Sequence, residues 1–121
     1  MKVFTYGTLR PTLSPQNVER FKLTPLGPAT MTGNFELVGV SWFPALIPSE
    51  QSRTIIGEAV EVENLKGLDF YESFSENGNG LYDRKEVPIV IDGQEVSAWV
   101  YFMKARPTNA KTIESNDWAN K

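Results

Sequence analysis

Residues 81–102 constrain the fold more than any other segment, because they have the pattern of a β-hairpin. Two runs of alternating apolar and polar residues flank Asp92-Gly93, a dipeptide that favours a two-residue hairpin turn. The apolar positions are Val87, Ile89 and Ile91 before the turn and Val96, Ala98, Val100 and Phe102 after it. Pro88 has no backbone N–H, so we expect it at a sheet edge or near the beginning of its strand.

Three other segments have the composition of strands, namely residues 3–6, 29–40 and 54–62. Gly33 is a candidate β-bulge in the second of them. Residues 26–28 are expected to interrupt regular structure before the strand at residues 29–40. Because of Pro44 and Pro48, residues 42–48 are not expected to form a long regular element, and residues 49–52 are expected to form a polar turn.

Two short helices are predicted. Residues 14–21 begin with Ser-Pro, which favours Ser14 as the N-cap and Pro15 as the first helical residue. Residues 65–74 follow Asn64, another candidate N-cap. Strands dominate, so we predict an α+β fold: a single domain, residues 1–121, with a small mixed sheet that curls towards a barrel and short inserted helices. Ile113 and Trp118 are expected to attach the polar C-terminal tail to the core.

The composition excludes several kinds of chemistry. The 121 residues include no Cys and no His, which removes thiol nucleophiles, His-based triads and the usual zinc sites. An acid–base group would have to be Glu, Asp, Lys or Tyr. A net charge of −3 argues against nucleic acid and anionic membranes as partners. No apolar stretch approaches a membrane span and the N-terminus does not resemble a signal peptide, so a cytoplasmic protein is expected.

The loop that follows the first strand is a candidate binding site. Tyr6-Gly7-Thr8-Leu9-Arg10 leaves the strand at Gly7, which can turn sharply without a Cβ clash. Such a loop exposes backbone N–H groups that can hold an anion or a carbonyl oxygen. A tight strand exit with no ligand explains the same pattern equally well.

Glu72 is a candidate acid–base residue. In a helix over residues 65–74, it falls between Leu65 and Leu68 on the apolar face. A carboxylate held in a pocket would have a raised pKa and could carry a proton near neutral pH. Alternatively, Glu72 lies at the boundary of that face, where its methylene groups pack and its carboxylate reaches water.

Tyr82-Asp83-Arg84 follows a polar loop at residues 77–80. Tyr82 could orient a substrate near Glu72, or it could simply pack at the beginning of a strand. The loop could be a lid, or it could be a plain surface turn.

Taken together and in order, these motifs resemble the γ-glutamylcyclotransferase-like superfamily, in particular its small branch of γ-glutamylamine cyclotransferases and AIG2-like proteins. The resemblance spans nearly the whole chain. It rests on Tyr6-Gly7-Thr8-Leu9-Arg10, Phe43-Pro44-Ala45, Gly57-Glu58, Leu68-Asp69-Phe70-Tyr71-Glu72, Tyr82-Asp83-Arg84, Ala98-Trp99-Val100-Tyr101 and Ile113-Glu114-Ser115-Asn116-Asp117-Trp118.

The resemblance implies a compact mixed barrel with a site at one mouth, a small-molecule γ-glutamyl substrate, and no metal or cofactor. In family enzymes the α-amine of the substrate attacks its own γ-carbonyl, which releases an amine and 5-oxoproline. By this resemblance Glu72 is the catalytic acid/base. The implied substrate-binding residues are Tyr6, Gly7, Thr8, Leu9 and Tyr82.

Two positions depart from the family pattern. Ser73 stands where the family often has Gly after the catalytic glutamate, and Asn116 replaces the Gly of a Ser-Gly-Asp-Trp tail. These changes leave room for a divergent substrate or a lost activity. The alternatives are therefore a non-catalytic binding or regulatory module of the same fold, and removal of a γ-glutamyl group from a carrier or metabolite.

Overall fold

The computed structural model describes residues 1–40, 43–71 and 82–121. In chain order the elements are β1 (Lys2–Thr5), α1 (Gln16–Arg20), β2 (Thr24–Val40), β3 (Phe43–Glu61), α2 (Lys66–Tyr71), β4 (Tyr82–Ile91), β5 (Gln94–Met103), β6 (Lys111–Thr112) and a 3-10 helix (Trp118–Asn120).

Five of these strands close into a barrel. Their order is β3-β1-β5-β4-β2, and β2 pairs with β3 to complete the ring, while β6 adds to β2. The β1–β5 pairing is parallel, at Val3 and Trp99, and the other pairings are antiparallel. The α+β, barrel-like fold predicted from the sequence is therefore confirmed.

The 81–102 hairpin prediction is confirmed over β4 and β5. Asp92 and Gly93 have φ angles of 52° and 76°, the left-handed conformation that a two-residue turn requires. Pro88 pairs with Ser97 of β5. On its other side β4 pairs with β2 through Val90 and Ile91, beyond the proline. The expectation of an edge position, or one near the beginning of the strand, is therefore wrong: β4 lies inside the sheet order, and Pro88 lies in its second half, outside the β2 ladder.

The prediction for residues 42–52 is wrong over the described part. β3 runs from Phe43 to Glu61, through both prolines and through the expected turn. Pro44 pairs with Gly39 and Pro48 with Phe35. β1 pairs with β3 only over the last residues of β3, 58–61. The two prolines therefore lie where no second ladder requires a backbone N–H from them. Residues 49–52 lie where the pairing between β3 and β2 is irregular. This irregularity falls at Gly33, where a bulge was predicted.

Other boundaries of helices and strands also differ from those predicted. The expected break at residues 26–28 is an irregularity within β2, where Gly27 has a φ of 109°. The N-cap of α1 is Pro15 rather than Ser14, and the cap makes no side-chain hydrogen bond. In α2 the Asn64 side chain accepts the Lys66 N–H at 3.0 Å, as expected of a capping residue. Residues 72–74 of the predicted helix lie outside the described residues.

β1 is buried on both faces because successive residues of a strand point to opposite sides. Phe4 enters the barrel core, a cluster that also contains Met31, Leu37, Leu46, Ile55, Ile89 and Val100. Val3 faces the other way, into a second cluster with Leu9, Leu68 and Tyr101. This second cluster packs α2 and the loop after β1 against the outside of the sheet. Trp118 is buried in the barrel core and Ile113 packs against it, so the prediction for the tail is confirmed.

Candidate active site

A cavity of about 290 Å³ lies at the end of β1. Its lining combines the loop after β1 with the beginnings of β3 and β4 and the end of β5. The residues are Val3, Phe4, Thr5, Tyr6, Gly7, Thr8, Leu9, Phe43, Pro44, Tyr82 and Tyr101. The described lining contains no charged side chain. A largely apolar cavity with a few polar groups is the usual form of a small-molecule site.

The loop wall needs a glycine because Pro44 lies directly against it. A Cβ added to Gly7 would overlap Pro44 Cγ. The turn closes with the Arg10 N–H donating to the Gly7 carbonyl at 2.9 Å, and Asn17 Nδ2 donates to the Thr8 carbonyl at 2.8 Å. Within the described residues the N–H groups of Gly7 and Leu9 have no hydrogen-bond acceptor in the protein. The loop therefore satisfies carbonyls internally and leaves donors for a ligand.

A buried ionic network holds the other end of this loop. Arg10 Nε donates to Glu58 Oε2 at 2.8 Å, and Arg10 Nη1 donates to Asp117 Oδ1 at 2.7 Å. Thr12 adds its N–H, at 3.1 Å from Glu58 Oε1, and its hydroxyl, which donates to Glu58 Oε2. The three charged side chains are at most 10% exposed. The network therefore attaches the loop to β3 and to the C-terminal tail.

These contacts shift the ionisation of all three charged groups. Burial alone would raise the pKa of Glu58, but hydrogen bonds from Thr12 and Arg10 outweigh it and lower that pKa. Burial would also raise the pKa of Asp117, and hydrogen bonds from Arg10, the Ala119 N–H and Asn120 lower it instead. Burial would lower the pKa of Arg10, whereas its bonds to the two carboxylates raise it. All three groups are therefore held in their charged forms.

The part of the cavity wall formed by Tyr101 connects to α2. Tyr6 Oη donates to the Tyr101 carbonyl at 2.8 Å, and Tyr101 Oη donates to Asp69 Oδ1 at 2.6 Å. Arg84 Nε forms an ion pair with the same carboxylate oxygen at 3.2 Å. The Arg84 guanidinium also lies 4.9 Å from the centre of the Trp99 ring. These contacts place the described part of α2 beside the cavity wall.

The structure thus brings together the five residues predicted to bind substrate. Tyr6, Gly7, Thr8, Leu9 and Tyr82 all line the cavity. Glu72, the predicted catalytic residue, lies outside the described residues, as does the loop at residues 77–80. It follows Tyr71 in the chain, the last residue of α2.

Sequence reasoning missed two parts of the site. Tyr101 lines the cavity and contacts both Tyr6 and Asp69, but in the sequence it is one aromatic residue in a strand. Arg10 and Glu58 were quoted only as parts of motifs, and no local pattern marks them as a buried pair. The one available signal was a charged residue in an otherwise apolar strand segment, Gly57-Glu58-Ala59-Val60.

The described residues contain no cluster of three His, Cys, Asp or Glu side chains suited to a metal ion. Neither described α-helix has the length and apolar content to cross a bilayer.

Fold and cavity together define a barrel protein with a largely apolar cavity at the end of β1. Over residues 3–120 the sequence matches the family described as γ-glutamyl cyclotransferase, AIG2-like, and the chain belongs to this family. Membership implies a small-molecule substrate. No curated protein sequence matches the chain.

Solved structures share the fold. An AIG2-like protein from Mus musculus has a TM-score of 0.70 at 23% identity, over 88% of this chain and 79% of that one. YkqA from Bacillus subtilis has a TM-score of 0.68 at 22% identity, over 97% of this chain but only 39% of that one. A protein described as γ-glutamyl cyclotransferase has a TM-score of 0.64 at 18% identity, over 93% of this chain and 69% of that one.

Proposed function

We propose that this protein is a γ-glutamyl cyclotransferase that converts a γ-glutamyl amine or γ-glutamyl amino acid into 5-oxoproline and the free amine. The observation that carries the proposal is the cavity itself. All five residues assigned to substrate binding from the sequence lie in its wall, on segments more than seventy positions apart. Family membership supports the same reaction class.

The reaction suits this cavity because its nucleophile comes from the substrate. The α-amine nitrogen attacks the γ-carbonyl carbon, a new C–N bond closes the five-membered ring, and the bond to the leaving amine then breaks. Bringing the two groups of one substrate together supplies much of the rate through effective molarity. A chain that has neither Cys nor His can promote this step by folding the substrate and moving protons with one carboxylate.

Glu72 is the proposed proton carrier. It accepts a proton from the α-ammonium group, which frees the amine to attack, and returns that proton to the departing nitrogen. A second proton, lost from the ring nitrogen after the attack, passes through the same carboxylate to the released amine, which leaves as an ammonium ion. Support comes from its position in the sequence, directly after α2. The helix is held beside the cavity by Leu68 in the second apolar cluster and by the Asp69 contact with Tyr101.

The loop after β1 is the proposed cradle. The N–H groups of Gly7 and Leu9 lack protein acceptors within the described residues, so they can donate to the substrate carboxylate or to the oxyanion that forms on the γ-carbonyl. Tyr82 lines the cavity and is proposed to orient the glutamyl part. No step requires a metal or cofactor.

The test is a panel of γ-glutamyl compounds assayed for 5-oxoproline release. The panel contains γ-glutamyl amino acids, γ-glutamyl alkylamines and an isopeptide through a lysine side chain. We expect turnover of at least one class, and a loss of about 10²-fold or more in kcat for Glu72→Gln. A Glu72→Gln protein as fast as wild type would refute the mechanism.

A wild-type protein that binds panel compounds without turning them over would favour the non-catalytic alternative.

A further inference from the structure

Two tyrosine hydroxyls connect the substrate loop to α2. The Tyr6 hydroxyl donates to the backbone carbonyl of Tyr101, and the Tyr101 hydroxyl donates to the carboxylate of Asp69. Tyr6 and Tyr101 are at most 9% exposed. Tyr101 uses its main chain on one side and its side chain on the other. One residue of β5 therefore contacts both segments that carry the proposed chemistry.

Asp69 is held from a second direction. Arg84 Nε lies 3.2 Å from Asp69 Oδ1, and the Arg84 guanidinium lies over the Trp99 ring. Stacking on an aromatic ring limits the positions open to a guanidinium. Both side chains of the ion pair are about 20% exposed, so solvent screens this attraction only in part. The Asp69 carboxylate therefore has a defined place between Tyr101 and Arg84.

α2 needs such contacts because it is short. The described helix has six residues, too few to be stable by itself in water. Leu68 anchors one side of it in the second apolar cluster, with Val3 and Leu9. Asp69 projects about 100° further round the helix and contacts Tyr101. Two adjacent anchors in different directions fix the rotation of the helix about its axis, which one anchor could not do.

We propose that Asp69 is a positioning residue which, through Tyr101, fixes the rotation of α2 relative to the loop at Tyr6–Leu9. The consequence for catalysis rests on the proposed function, because Glu72 directly follows α2. Asp69 contacts no substrate in this proposal. It acts on the helix that Glu72 follows in the sequence.

The test combines kinetics with amide hydrogen exchange. Tyr101→Phe removes the hydroxyl and keeps the carbonyl that Tyr6 uses, and Asp69→Ala removes the acceptor. Asp69→Asn keeps an acceptor oxygen for Tyr101. Ser97→Ala is the matched control, since it removes an exposed hydrogen bond to Glu86 on the same hairpin.

We expect Tyr101→Phe and Asp69→Ala each to lower kcat by about 10- to 100-fold, with KM changed less than threefold. The double variant should be no slower than Asp69→Ala, and Asp69→Asn should recover part of the loss. Exchange of the Asp69 amide, which donates to the Leu65 carbonyl at 2.7 Å, should speed up about tenfold in Tyr101→Phe. Ser97→Ala should match wild type in every measurement.

Variants with wild-type kcat in an active protein would overturn the positioning role and leave the proposed function intact. Losses in kcat that multiply in the double variant of Tyr101→Phe and Asp69→Ala would overturn it as well. If wild type releases no 5-oxoproline from any compound, the proposed function fails, and exchange alone decides the positioning role. Unchanged exchange of the Asp69 amide in Tyr101→Phe would then refute it.

Discussion

Replacing Arg10 with Met should destabilise the protein strongly at neutral pH. Met fills a similar volume but leaves Glu58 and Asp117 without their shared cation. Both carboxylates are at most 10% exposed, and each accepts a hydrogen bond from Arg10 under 3 Å. Breaking a buried pair by removing one partner costs about 3–5 kcal/mol, since an uncompensated charge remains inside. We therefore expect the free energy of unfolding to fall by about 3–5 kcal/mol at pH 7.

The loss of stability in Arg10→Met should become smaller as the pH falls. In the wild type the pKa of Glu58 and of Asp117 is lowered on folding. Their contribution is complete above the unfolded carboxyl values, about 4, and is lost as pH falls through the lower folded values. In Arg10→Met, burial is no longer offset by the guanidinium, so both carboxyls protonate more easily. The difference in stability between variant and wild type should therefore shrink from pH 7 to pH 4.

Urea unfolding followed by tryptophan fluorescence at pH 7 and at pH 4 measures this difference. Arg106→Met is the matched control. Arg106 also pairs with a carboxylate, Glu36, at 2.9 Å, but its side chain is 45% exposed. Exposed pairs contribute about 0–1 kcal/mol. A loss in Arg10→Met no larger than in the control, or one that is the same at both pH values, would refute the reasoning.

Three further substitutions follow from the packing. Gly7→Ala should raise KM and cost about 1–3 kcal/mol of stability in urea unfolding, because the new methyl group overlaps Pro44. Gly67→Ala is its control, since the nearest atom to the new Cβ is 3.9 Å away, and it should stabilise α2 by about 0.5–1 kcal/mol. Trp118→Ala should cost about 3–5 kcal/mol, because the ring is buried in the barrel core. A Gly67→Ala loss equal to that of Gly7→Ala, or a Trp118→Ala loss below 1 kcal/mol, would contradict this packing.

Local signals predicted the parts of the fold that depend on neighbouring residues. The Asp92-Gly93 turn sets the backbone angles of the hairpin, and the alternation on either side sets its faces. Residues 43–52 were mispredicted because the effect of a proline in a strand depends on which ladder its missing N–H would have joined. β1 reaches only residues 58–61 of β3, and no sequence pattern near Pro44 or Pro48 indicates that.

The candidate site also has parts that local sequence indicates and parts that only the fold brings together. The loop at Tyr6–Leu9 could be marked as a candidate because Gly7 indicates a sharp turn at the end of a buried strand, and the family resemblance assigned it to the substrate. The network around Arg10 could not, because its partners lie 48 and 107 positions away. Tyr101 lies 95 positions from Tyr6, and only the closed barrel brings them together. Charged and aromatic residues of this kind look like ordinary surface or core positions until the strand order is known.

The central claim is that the loop at Tyr6–Leu9 and the Glu72 carboxylate act on one γ-glutamyl group in one cavity. A crystal structure of the Glu72→Gln protein with a γ-glutamyl amide bound tests it most directly. We predict the substrate in the cavity, with the side chain at position 72 about 2.6–3.2 Å from its α-amine. A substrate oxygen should lie within hydrogen-bond reach of the Gly7 and Leu9 N–H groups. A substrate bound elsewhere, or one in the cavity with position 72 turned away from its α-amine, would contradict the account.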